Sequence, residues 1–188
     1  MTPAEINLSL EEVFGASVQK IPPNSWQVET PNYRLLVLLS DDLSWLRILV
    51  PIVSALDAQP FFEQLLEANF DETQETRYAL QQGVLWGVFQ HDCRSLEKKD
   101  FSSAIARLLS LREKGLKDSF NQLVESRVRQ IIQAAKLRGQ SLEATLQTLD
   151  RFYEEGLMGD MEQKAASREE VLAAWRYQLE RLWHQVEP

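Results

Sequence analysis

Before Ser95 the hydrophobic positions of this chain mostly follow a two-residue period, and after it a helical one. The change is sharpest around Tyr78-Ala-Leu-Gln-Gln-Gly-Val-Leu-Trp-Gly-Val-Phe89. Gly83 can take a positive φ cheaply, so Gln82-Gly83 predicts a tight turn. The flanking runs, Arg77 to Gln81 and Val84 to His91, predict a hairpin. Its second strand is apolar on both sides. Val84, Trp86 and Val88 point one way, and Leu85 and Phe89 the other.

Upstream, Trp26 to Glu29, Tyr33 to Leu39 and Trp45 to Val53 predict three strands joined by short turns, an antiparallel meander. The two-sided apolar pattern recurs there. Leu35, Val37 and Leu39 oppose Leu36 and Leu38, and Leu46, Ile48, Val50 and Ile52 oppose Trp45 and Leu49. Thr2-Pro3-Ala4-Glu5 predicts a helix start, followed by Ile6, Leu10 and Val13 at helical spacing. Pro60 predicts the start of another helix, with Phe61, Phe62, Leu65, Leu66 and Phe70 as its apolar stripe.

From Phe101 to Ile132 the period is helical through Gly115. This predicts either one long helix from Asp100 to Lys136 or two that meet near Gly115. Gly139 marks its end, and Ser141 caps a helix that Gly156 ends. Leu157 to Ala166 reads as a linker. Ser167-Arg-Glu-Glu170 reads as the capping box of a last helix. The fold class is therefore α+β, in the order α-β-β-β-α-β-β-α, with a sheet of about five strands. A helical extension follows over residues 116–188.

Composition narrows the functions. Apolar residues make up 44% of the chain, which argues against disorder. The one cysteine, Cys93, excludes a disulfide framework and fits a reducing, cytoplasmic setting. No secretory leader and no membrane span is read. The net charge of −8 argues against nucleic acid or an anionic membrane as partner. Six acids lie between Asp57 and Glu75 with no Lys or Arg. Eleven basic residues and five acids lie between Arg94 and Arg138. The acidic run lacks the pattern of a calcium loop and reads as a solvated helix face and loop. The basic stretch lacks aromatic interleaving, so a nucleic-acid grip is disfavoured.

Catalytic motifs are sparse. His91-Asp92-Cys93 is the one cluster of metal-ligand residue types, and a closed zinc site needs four ligands. On a strand, His91 and Cys93 share a face, so a thiol activated by His91 is the enzyme alternative. Glu180 and His184 lie four apart on the last helix, where a weak pair is the plain reading. The glycines form no phosphate loop, and no cofactor is expected. Trp26, Trp45 and Trp86 all fall on strands.

Phe62-Glu-Gln-Leu-Leu-Glu-Ala-Asn69, a helix ending in LLEAN, followed by a polar loop and RYALQQGVLWGVFQ (Arg77 to Gln90), resembles the type III secretion chaperone-like superfamily (Tir-chaperone and YbjN-like). The likeness covers about residues 3–115, within a first domain of residues 1–115, and looks like a relative of the cyanobacterial type, extended by the helices of residues 116–188. It implies an acidic, non-catalytic protein, commonly a homodimer, that holds a polypeptide on apolar surface. The expected contacts are Trp45, Leu49, Trp86 and Val88. A second sheet face this apolar needs a cover: the tail of residues 116–188, a second copy, or a client protein.

Overall fold

The computed structural model describes residues 1–154 and 165–187. Two compact units are present, Met1–Phe120 and Asn121–Pro188.

The first unit is built on a six-stranded sheet in the order β1-β2-β3-β4-β6-β5, antiparallel throughout. Helix α1 (Pro3–Phe14) opens the chain under the expected capping box, in which Glu5 N–H donates to Thr2 Oγ1 and Thr2 N–H to Glu5 Oε2. Then come β1 (Val18–Ile21), β2 (Ser25–Glu29), β3 (Arg34–Leu39) and β4 (Trp45–Ser54). Strand β1 is one more than the five expected. Its residues Gln19, Lys20 and Ile21 are exposed, so it carries no alternation to read, and only pairing with β2 makes it a strand.

Ser54 caps a single helical turn, α2 (Ala55–Ala58), by accepting from Asp57 N–H. Pro60 lies in the 3-10 turn that follows, before α3 (Phe62–Phe70). The stripe expected on α3 is corrected here. Gln64, Leu65 and Ala68 are buried, whereas Leu66 and Phe70 are 69% and 94% exposed. On α1, likewise, Ile6 and Leu10 are buried but Val13 is exposed.

The hairpin of β5 (Thr76–Gln81) and β6 (Val84–Asp92) forms as predicted, with φ of 50° at Gln82 and 74° at Gly83. Both turn residues are left-handed, the geometry that matches the twist of two strands. Helix α4 (Lys98–Lys114) ends at Gly115, φ 57°, and α5 (Lys117–Leu137) begins beyond it. The two-helix alternative is the one realised.

One sheet face carries the core. Trp26, Val28, Leu35, Val37, Leu46, Ile48, Val50 and Phe89 pack with Ile6 and Leu10 of α1 and with Phe101, Ala104, Ile105 and Leu108 of α4. Ile52 and Leu85 pack with Ala58 and Leu65. Gly87 on this face allows the close approach of α4, because a Cβ there would lie 3.2 Å from Leu108 Cδ2.

The second unit joins the later part of α5 to α6 (Leu142–Glu154) and α7 (Ala165–Trp183) around Val128, Ile132, Leu179 and Leu182. Ser141 caps α6, accepting from Ala144 N–H. Helix α7 already runs from Ala165, so Ser167 lies inside it rather than at its cap. The helix end expected at Gly156, and residues 157–164 of the linker expected over 157–166, lie outside the described residues, whereas Ala165 and Ala166 already belong to α7.

Candidate functional site

The opposite face of the sheet is the candidate site, and the register places its residues. Leu36 lies opposite Leu49, Leu49 opposite Val88, and Val88 opposite Arg77, one row across four strands. In the next row Leu38 lies opposite Arg47, and Arg47 opposite Gln90. Trp86 pairs with Pro51 and Ala79. None of Leu36, Leu38, Leu49, Trp86 and Val88 belongs to either core of this unit. Together with Arg47, Arg77 and Gln90, most of them line a concavity of about 510 Å³. Val88, 6% exposed, lies deepest of the four expected contacts, and Trp45, 39% exposed, lies at the margin.

The polar rim is ordered. Trp86 Nε1–H donates to Gln81 O at 3.2 Å, which holds its ring toward the hairpin end. Arg77 donates through Nη2 to Gln90 Oε1. The Arg47 guanidinium carbon lies 5.0 Å from the centre of the Trp45 ring. Arg47 Nε is buried without a hydrogen-bond partner. The three tryptophans thus divide. Trp26 is a core residue that donates to Asn7 Oδ1 at 2.9 Å, whereas Trp45 and Trp86 stand on the open face. Sequence reading named the apolar residues of this face but not Arg47, Arg77 and Gln90. The signal available was a polar residue interrupting each apolar alternation, and the pairing register was needed to bring them together.

Both edges of the sheet are guarded. Strand β1 is four residues long and presents Lys20. On β5, Asn69 of α3 donates through Nδ2 to Tyr78 O at 3.0 Å and accepts from Tyr78 N–H through Oδ1 at 2.7 Å. Thr76 N–H donates to Thr73 O at 3.0 Å. Asn69 therefore stands where another strand would pair. It is the last residue of the LLEAN stretch read in the sequence.

His91 and Cys93 occupy different settings. His91 stacks on Phe89 at 5.8 Å between ring centres, and its Nδ1 lies 2.8 Å from Asp92 O. Cys93 is buried, and burial pushes its thiol pKa up, which disfavours the thiolate a nucleophile needs. Among the described residues no three His, Cys, Asp or Glu side chains gather into a metal-binding group. Glu180 and His184 are both exposed, and His184 lies past the end of α7. No described helix is long and apolar enough to cross a membrane.

A larger hollow of about 970 Å³ lies between α5 and α7 within the second unit. Its lining is mostly polar. Its arginines, Arg129 and Arg181, are paired with Glu125 at 2.8 and 2.7 Å, and these hydrogen bonds hold the Glu125 carboxyl below its usual range. Its charges are thus matched within the unit.

No protein-family pattern matches the chain, and no curated protein matches it. Solved structures do. The crystal structure of the ExsC–ExsE complex is 18% identical over 59% of this chain and 90% of that one, with a TM-score of 0.47. The HopA1–SchA chaperone–effector complex is 10% identical over 58% and 88%, with a TM-score of 0.47. The Yersinia pestis type III secretion chaperone SycH, in complex with a stable fragment of YscM2, is 12% identical over 61% and 99%, with a TM-score of 0.48. SycH is by its description a type III secretion chaperone.

Proposed function

We propose that this protein is a non-catalytic binding module, chaperone-like or an adaptor, that holds a polypeptide partner on the sheet face that the helices of the same unit leave uncovered. One observation carries the reading: a sheet face with an apolar centre and no helix of its own unit packed on it, in a sheet whose edges are guarded. Apolar surface of this kind marks interaction sites. Leu49, Val88 and Trp86 form the floor and wall of the contact, and Trp45 its margin. The sheet-bearing unit does the binding, and the helices after residue 115 extend it. A single buried thiol supports a reducing, cytoplasmic setting.

The test uses the partner that co-purifies with the full chain, isolated and titrated back against purified variants. Leu49→Thr and Trp86→Ala keep strand-compatible or small side chains and should each weaken binding about tenfold, a loss of the size expected for an apolar anchor. Tyr177→Ser, on the exposed surface of α7, should bind as wild type. A partner that binds all of these alike refutes the assignment.

A further inference from the structure

We infer that the partner segment carries an aspartate or glutamate beside large apolar side chains, and that Arg47 and Arg77 receive its carboxylate over Gln90. The inference rests on the sheet face being the docking surface.

The charges on that face are unevenly matched. Arg34, on β3, is paired with Glu29 at 2.8 Å. Arg47 and Arg77 have no ion pair among the described residues. In a protein of net charge −8, two uncompensated guanidiniums stand at one end of an apolar concavity. Gln90 joins them. It lies directly opposite Arg47 on β4, and its Oε1 accepts from Arg77. Arg47 also holds a buried Nε–H with nothing to donate to. A carboxylate accepts several hydrogen bonds, which the remaining guanidinium N–H groups of the two arginines can supply. Guanidinium forks favour carboxylates in this way.

The apolar half of the ligand follows from the register. The row Leu36–Leu49–Val88 lies two residues along the strands from the Arg47–Gln90 row. That separation is about 7 Å, the spacing of alternate side chains in an extended segment. An acid at one position and an apolar side chain two positions away would meet both rows together. A basic or purely apolar segment would leave the arginines unanswered.

The experiment pans a random displayed peptide library against the immobilised full chain. Enriched peptides are then titrated by fluorescence anisotropy. The proteins compared are wild type, Arg47→Gln, Arg77→Gln and the double variant Leu36→Thr with Leu49→Thr, each checked by its thermal melt. Peptides weakened by the threonine double variant should carry Asp or Glu beside apolar residues. Converting that acid to its amide should weaken them about tenfold toward wild type and much less toward Arg47→Gln or Arg77→Gln. Face-dependent peptides that bind equally well as acid or amide overturn the carboxylate site and leave the apolar docking surface standing. Enrichment of nothing, or only of peptides indifferent to the threonine double variant, overturns both. So does a wild-type dimer that the double variant splits, because a second copy would then occupy the face.

Discussion

At the bend between β3 and β4, Leu43 takes a φ of 57° and the Asp42 carboxylate gathers three hydrogen bonds. It accepts from Ser40 Oγ at 2.6 Å, Ser44 Oγ at 2.8 Å and Ser44 N–H at 3.1 Å. These bonds, the one from Ser40 foremost, bring its pKa down from 3.8 to about 2. A carboxyl whose pKa is lowered by folding stabilises the fold above its unfolded value and loses that contribution as pH falls through its folded value. Asp42→Ala should therefore melt below wild type at neutral pH. The gap should narrow from about pH 4 and close near pH 2, as thermal melts across that range will read. A gap independent of pH would mean that the ionised carboxylate is not what holds the bend. Cys93 shows the opposite sense of shift, because burial raises its pKa, and the thiol is correspondingly quiet.

Among the elements, β5 depends most on a neighbour's side chain. Its inner edge pairs with β6, and its outer edge is answered at Tyr78 by Asn69 and at Thr76 by Thr73. Asn69→Ala removes two partners from a half-buried main chain and should cost about 2 kcal/mol in unfolding free energy. Asn69→Asp, which keeps an acceptor for Tyr78 N–H, should recover part of that, measured by denaturant melts of both variants. Unchanged stability in Asn69→Ala would show that water replaces the clasp at no cost. The hairpin was legible because Gln82-Gly83 and the alternation around it are local. The clasp was not, since nothing in LLEAN says which strand its asparagine will meet. Strand β1 was illegible for a different reason: an exposed edge strand has no buried side to impose a pattern.

For the sheet-bearing unit as a whole, the sequence told how many apolar faces the sheet has but not which one the unit's own helices cover. That outcome depends on α1, α2, α3 and α4 all packing on one side, a matter of chain crossing rather than residue pattern. The same holds for the exposed apolar residues Leu66, Phe70 and Leu80, the first two of which the helical period alone would have buried. Leu66 and Leu80 border a shallow apolar hollow of about 210 Å³, and Phe70 lies one turn beyond Leu66 on α3. We propose this strip as the contact of the homodimer that the sequence resemblance implies, because exposed apolar surface marks interaction sites. Sedimentation should then give a dimer for wild type and a monomer for Phe70→Ser, and a wild-type monomer at tens of micromolar would dismiss the homodimer. The guarded edges have a consequence for partner range. Strand addition works through the main chain, which every polypeptide shares, so an open edge accepts many sequences with little discrimination. A receptor that can offer only a side-chain surface must read what its ligand's side chains are. With Asn69 across one edge and β1 so short at the other, the binding role proposed above would be a selective one, for a few clients rather than for any chain that comes unfolded.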